Sequence, residues 1–149
     1  MRERFTADLK AAMKSGEKQK VETIRMITAG LKDRDIEARA TGKTLGDDDI
    51  LALLQKMVKS RQESVEIYEK GGRPELAEKE RAEIAVIAEY LPQQLSEAEV
   101  AEAIKAAIAE TGAASIKDMG KVVAALKAKY TGRIDFGKAS AAVKAALGG

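Results

Sequence analysis

The chain has 149 residues, with 26 Lys and Arg against 24 Asp and Glu, and it contains no cysteine and no histidine. These absences exclude a disulfide framework, a zinc finger, a cysteine nucleophile, a Ser-His-Asp triad and a histidine general base. Because 34% of the residues are charged, 3% are aromatic and two are proline, the composition is typical of packed helices and predicts an all-α protein.

Four amphipathic helices are predicted in the first part of the chain. Apolar residues recur at steps of three or four from Phe5 to Met13, from Val21 to Leu31, from Ile50 to Tyr68 and from Leu76 to Leu91. This spacing places them on one face of an α-helix. Glycines, which favour turns and helix ends, lie in each gap between these patterns. Four helices joined by short loops are expected to form a bundle.

Two charged features interrupt the apolar pattern. The acidic run from Asp47 to Asp49 stands directly before Ile50, where the helix dipole stabilises negative charge, so we interpret it as helix capping. The alternative is a metal site, which would need ligands from elsewhere in the chain. Arg61 lies within the apolar stripe of the third helix. Either its stem lies along a groove edge with the charged head in water, or it presents a guanidinium at a functional surface.

The stretch EYLPQQLSEAEV, residues 89–100, marks a boundary. Pro92 disfavours helix at the preceding residue and removes a backbone donor. Ser96, with Glu99 three residues later, forms a capping box that starts a new helix. We therefore predict an N-terminal helical bundle of about four helices at residues 1–92 and a C-terminal three-helix module at residues 96–149.

Three shorter helical patterns follow this boundary. Ser115 and Asp118 offer a second capping box, and Asp135 is predicted to cap the last helix. The apolar residues of the three patterns run from Val100 to Ile108, from Met119 to Leu126 and from Phe136 to Leu147.

Charge is distributed unevenly along the chain. Residues 1–95 carry 18 basic and 18 acidic side chains, whereas residues 112–149 carry 7 basic and 2 acidic ones, and residues 96–111 are acidic. The basic residues near the end either form a solvated helix surface or contact a polyanion. They are Lys117, Lys121, Lys127, Lys129, Arg133, Lys138 and Lys144.

Other residues near the basic cluster leave the same choice open. Arg133 lies in a turn beside Asp135, at a helix start whose free backbone N–H groups can also meet a phosphate. Gly120 and Gly137 lower helix stability and would let another backbone approach, although packing between helices explains them equally well. Tyr130 could stack on a base or belong to the core.

Several motifs resemble a known family. The stretches KSRQES (59–64), EKGGRPELAEKE (69–80) and EYLPQQLS (89–96) occur with the order and spacing of the YqeY-like family, also called the GatB/YqeY-domain family. Residues 23–39 and 119–147 extend the likeness over nearly the whole chain.

The resemblance implies a fold and a type of partner. YqeY-like proteins have a helical bundle followed by a three-helix module. That module is similar to the tail domain of the B subunit of the glutamine-dependent tRNA amidotransferase. In that enzyme the tail contacts tRNA, and the active sites lie elsewhere. Val123 stands where the family often has Met. The positions that match the tail motif are Gly120, Lys121, Val122, Val123, Gly132, Arg133 and Asp135.

These observations lead to three hypotheses. The first is an accessory protein that binds tRNA phosphates through the seven basic residues, linked by resemblance to amide transfer with glutamine as nitrogen donor. The alternative is a protein-interaction or scaffold module that docks on an amidotransferase subunit or another protein. A direct enzymatic role is the third, and it is disfavoured because no P-loop, amidase signature or metal constellation is present.

The sequence also leads us to expect several absences. We expect no catalytic residue of its own, no cofactor, no metal site, no membrane partner and no DNA partner. The charged N-terminus lacks a following apolar segment, and no apolar run approaches the roughly 20 residues of a membrane span. A cytoplasmic location is therefore predicted.

Overall fold

The computed structural model describes residues 1–148, and the chain is all-α, as predicted. Within those residues there is no β-strand, and a short 3-10 turn, Ile116–Asp118, precedes the sixth helix. The helices are α1 Arg2–Ser15, α2 Lys18–Ala40, α3 Asp47–Lys70, α4 Pro74–Ala88, α5 Glu97–Thr111, α6 Met119–Tyr130 and α7 Phe136–Ala146. In the part of the chain described, no helix is long and apolar enough to cross a membrane.

The chain divides into two compact units, Met1–Leu91 and Pro92–Gly149. The first unit contains α1 to α4 and the second contains α5 to α7. Each unit has its own hydrophobic core. We call them the first unit and the second unit.

The apolar stripes predicted from the sequence form the core of the first unit. Ile24 and Ile27 of α2 and Leu54 of α3 are completely buried. Burying one side chain of this size contributes about 1.5–3 kcal/mol. The buried cluster consists of Phe5, Ile24, Ile27, Leu31, Ile50, Leu53, Leu54, Ile87 and Tyr90.

The helices of the first unit begin and end where the local sequence predicts. Gly16 ends α1 in the left-handed conformation, with a φ of 74°, which glycine adopts without a Cβ clash. Pro74 occupies the first turn of α4, where no backbone donor is needed. At the start of α3, the Asp49 carboxylate accepts a hydrogen bond of 2.9 Å from the backbone N–H of Gly46. Asp49 therefore acts as a capping residue.

Arg61 differs from both interpretations of the sequence, because it forms a buried ion pair. Its Nε donates to the Glu83 carboxylate on α4 at 2.9 Å, and the two side chains are 14% and 9% exposed. Nη1 donates to the carbonyl oxygen of Met57 at 3.1 Å, and Nη2 lies 3.4 Å from the sulfur of Met26. A charge in a core is retained when it is paired and hydrogen-bonded, as it is here.

Tyr90, near the end of the first unit, packs against α1 and is hydrogen-bonded to it. Its ring meets Phe5 edge to face at a centroid distance of 4.7 Å, and its hydroxyl donates to the Asp8 carboxylate at 2.5 Å. The Arg4 guanidinium lies over the ring at 4.6 Å and also donates to the carbonyl oxygen of Glu89. Burial, reinforced by the bond to Asp8, raises the pKa of the Tyr90 phenol, so it stays protonated near neutral pH.

The core of the second unit is smaller. Val122, Leu126 and Val143 are completely buried. Phe136, Tyr130 and Leu147 pack against the cluster from its edge. The remaining buried members all belong to α5; they are Ala103, Ile104 and Ala107.

Candidate nucleic-acid interface

The second unit is stabilised locally by the segment that leads into α5. Leu95 N–H donates to the carbonyl oxygen of Arg133 at 3.0 Å, and the Gln94 side-chain amide donates to that of Gly132 at 2.6 Å. In return, Arg133 Nε donates to the carbonyl oxygen of Gln93 at 2.8 Å. Residues 93–95 are therefore fixed against the turn between α6 and α7. This arrangement was not predictable from the sequence pattern.

The start of α5 is the predicted capping box. Ser96 Oγ accepts from the Glu99 N–H at 3.1 Å, and the Glu99 carboxylate accepts from the Ser96 N–H at 3.0 Å. The hydrogen bonds to Ser96 lower the pKa of Glu99, and the nearby charge of Arg133 lowers it further.

Six of the seven predicted basic residues are exposed, and Arg133 is half-buried. Lys127 lies 5.9 Å from the centre of the Phe136 ring on α7. Within residues 1–148, no ion pair involves the lysines of the 3-10 turn, of the α6 start or of α7. These residues are Lys117, Lys121, Lys138 and Lys144.

Lys129 differs from the other lysines because its charge is compensated. Its ammonium group lies 2.9 Å from both carboxylate oxygens of Glu110 on α5. This hydrogen bond raises the pKa of Lys129. The sequence did not reveal the pair, since the two residues lie 19 positions apart on different helices. An anionic ligand of Lys129 would therefore compete with Glu110 for the same charge.

At the start of α7, Asp135 occupies two of the backbone N–H groups that a phosphate could otherwise bind. Asp135 Oδ1 accepts from the N–H groups of Gly137 at 2.9 Å and Lys138 at 3.4 Å. Asp135 thus caps the helix as predicted, and the N–H groups of Gly137 and Lys138 are bonded to it and not free for an anion. The physical reason is that the cap satisfies the same orphan donors that an anion would bind.

The second predicted capping box is only half formed. The Asp118 carboxylate accepts from the Ala114 N–H at 3.0 Å, but the side chain of Ser115 makes no capping hydrogen bond. The bonds from the backbone at Ala114 and Ser115 lower the pKa of Asp118. Ser115 precedes a 3-10 turn instead of the α-helix that the capping-box motif predicts.

The three glycines near the basic residues have different roles. Gly132 is buried with a φ of 79°, so only glycine suits this turn. A Cβ on Gly137 would lie 3.2 Å from the capping oxygen of Asp135, which explains that glycine. A Cβ on Gly120 would meet nothing within 4 Å. Packing within the chain therefore does not explain Gly120.

Of the remaining residues of the tail motif and its surroundings, Val122 and Tyr130 belong to the core. Val122 is completely buried, and Val123 is half-buried. Tyr130 is half-buried against the core cluster, and the Arg133 guanidinium lies 5.9 Å from its ring centre. The core interpretation of Tyr130 therefore fits its position better than base stacking.

The net positive charge of the chain lies in the second unit. The first unit carries equal numbers of basic and acidic side chains, and the second carries 8 basic and 6 acidic ones. From the 3-10 turn onward, the two carboxylates, Asp118 and Asp135, are both hydrogen-bonded to backbone N–H groups. Seven basic side chains outnumber these two carboxylates, so this end of the unit has a positive field.

Comparison with known proteins gives a family match. A family model described as "Yqey-like protein" matches residues 2–147. The chain is 36% identical over 132 residues to "Altered inheritance of mitochondria protein 41, mitochondrial" of Pyrenophora tritici-repentis, covering 85% of this chain and 71% of that protein. It is 37% identical over 95 residues to the protein of the same name from Lachancea thermotolerans, covering 62% of this chain and 50% of that protein. The chain thus spans about half the length of the second relative.

These names correct one prediction from the sequence. The cytoplasmic location expected above is contradicted, because these two relatives and a third from Eremothecium gossypii are named as mitochondrial proteins. The prediction rested on the absence of an apolar segment after a charged N-terminus. That pattern tests for secretion and membrane insertion but not for organelle import.

Proposed function

Because the chain belongs to the Yqey-like protein family, we propose that it is an accessory protein whose second unit binds tRNA through the phosphate backbone. The family resemblance suggests a role beside glutamine-dependent amide transfer, with catalysis carried out by another protein. The pure protein is then expected to release no ammonia from glutamine.

One observation carries this proposal. From residue 112 onward the chain has 7 basic side chains against 2 acidic ones. A surface of this kind attracts phosphates and releases counterions when it binds them. It carries no base code, so binding depends on charge and on the shape of the RNA.

A charge-reversal experiment tests the proposal. The variant Lys121→Glu with Lys127→Glu changes two exposed residues of α6, and its matched control is Lys10→Glu with Lys14→Glu on α1. Both change the net charge equally. In a fluorescence-anisotropy titration of a tRNA transcript, the α6 variant is expected to lose at least about tenfold in affinity while the control stays within about threefold. Equal losses would contradict the proposal.

A second candidate function is a protein-interaction module, which is favoured by two exposed apolar side chains of the first unit. Ile36 on α2 is 54% exposed and Ile67 on α3 is 67% exposed. In this case the variants Ile36→Lys and Ile67→Lys would abolish capture of an amidotransferase B subunit, and the α6 charge reversal would leave that capture unchanged.

A further inference from the structure

Arg133 is the only arginine in the sequence of the second unit, and the chain holds its guanidinium in place. Its Nε donates to the carbonyl oxygen of Gln93 at 2.8 Å. Its backbone N–H donates to the carbonyl oxygen of Tyr130 at 2.9 Å, which fixes the turn. The guanidinium carbon lies 5.9 Å from the Tyr130 ring centre. The side chain is consequently restricted before any ligand arrives.

The acceptor that holds Arg133 is itself fixed. Gln93 belongs to the segment 93–95, and the next two residues of that segment return hydrogen bonds to the turn. Gln94 donates to Gly132 and Leu95 donates to Arg133, at 2.6 Å and 3.0 Å. We call this set of hydrogen bonds the 93–133 clamp.

The clamp leaves the outer edge of the guanidinium available. Within residues 1–148, the side chain of Arg133 donates one hydrogen bond, from Nε to Gln93, and Nη1 and Nη2 make none. Glu99 lies near enough to Arg133 for the arginine charge to lower the pKa of the glutamate. However, its carboxylate is engaged with the Ser96 N–H at 3.0 Å and forms no ion pair with the arginine.

On this basis we infer that Arg133 is the oriented phosphate anchor of the second unit, in which Nη1 and Nη2 donate together to one RNA phosphate. The inference rests on the proposed function and assigns a distinct role to one residue of the same surface. A planar guanidinium matches two phosphate oxygens, whereas an ammonium acts as a point charge. The lysines supply diffuse attraction, and Arg133 sets the position of the backbone.

A substitution that preserves charge separates orientation from attraction. Arg133→Lys keeps the charge but removes the fork and the bond to Gln93. We expect the affinity for a tRNA transcript to fall about tenfold while the slope of log K against log salt stays unchanged, because the number of charges is the same. The reciprocal control, Lys138→Arg on α7, is expected to change the affinity less than about twofold, because its guanidinium would not be held.

Two further variants test the geometry without altering Arg133. Gln94→Ala removes one bond of the clamp and no charge, and we expect a loss of about threefold in affinity together with faster hydrogen exchange at the Leu95 amide. Glu99→Gln keeps the capping box, which accepts either residue, and removes the negative charge near Arg133. It is expected to increase the affinity about twofold or more.

The outcomes distinguish the anchor from the proposed function. If the wild-type protein binds tRNA and Arg133→Lys binds equally well, the anchor is excluded and charge-based binding remains. If the wild-type protein does not bind, the proposed function fails and the anchor fails with it. Circular dichroism of each variant, with unchanged helix content, is needed to exclude a folding defect. A tenfold loss for Arg133→Lys with unchanged salt dependence supports the anchor.

Discussion

The Arg61–Glu83 ion pair offers the sharpest test of the packing of the first unit. Glu83→Ala removes the carboxylate at 2.9 Å and leaves the guanidinium with the Met57 carbonyl oxygen and the weakly accepting sulfur of Met26. Breaking a buried pair costs about 3–5 kcal/mol. Glu80 lies close enough to interact with Arg61, so we expect the lower end, about 3 kcal/mol.

A double substitution provides the matched control. Arg61→Met with Glu83→Leu removes both charges and keeps the volume apolar, so the loss of stability is expected to be about 1 kcal/mol or less. Stability is measured by urea denaturation followed by circular dichroism, with hydrogen exchange to assign the transition to the first unit. A cost below about 1 kcal/mol for Glu83→Ala would show that the pair behaves as an exposed one and would refute the argument.

Three further predictions concern single residues. Burial and the neighbouring Glu83 raise the pKa of Glu80. A carboxyl whose pKa is raised by folding destabilises the folded state once it is ionised. Glu80→Gln should therefore raise the melting temperature at pH 7 but not at a pH below 4.5, the ordinary pKa of a glutamate. A melting temperature that rises equally at both pH values would contradict this assignment. Ser96→Ala should lower the stability of the second unit by about 1 kcal/mol in urea denaturation, and no change would mean that the capping box contributes nothing. Lys129→Ala should weaken RNA binding less than Lys121→Ala in the same titration, because Glu110 already compensates the charge of Lys129.

Local sequence signals predicted the helices and most of their ends. Ser96 and Pro74 act within one turn of the chain, so their roles could be read from residue type and spacing. The apolar stripes likewise gave the core, because the period of the helix decides which side chains face inward. Resemblance of motifs predicted the family, which periodicity alone does not contain and which the family model confirms.

Contacts between polar side chains of different helices were not predictable. Glu83 is 22 positions from Arg61 and lies on a different helix. The apolar pattern of one helix does not show which side chain of another helix a polar residue within that pattern will contact. One signal was present: Glu83 lies four residues before the buried Ile87, on the inner face of α4. An acidic residue there, opposite a helix with an arginine in its own stripe, indicates a buried pair.

The candidate site illustrates the same division. Sequence counting located the basic end of the chain, because net charge is a property of composition. It could not show that Lys129 is paired with Glu110, that Asp135 occupies the N–H groups of α7, or that Arg133 holds Gln93. Each of these depends on which side chains the fold brings within hydrogen-bond distance.

The most direct test of the proposed function is the salt dependence of tRNA binding by the full chain. Equilibrium constants are measured by fluorescence anisotropy between about 50 and 300 mM potassium chloride, the range in which counterion release dominates. The account predicts a linear fall of log K with log salt and a slope of about −2 or steeper, as expected for several lysine and arginine contacts to phosphate. A slope near zero, or no binding at the lowest salt concentration, would contradict it and leave the lysines as a solvated surface.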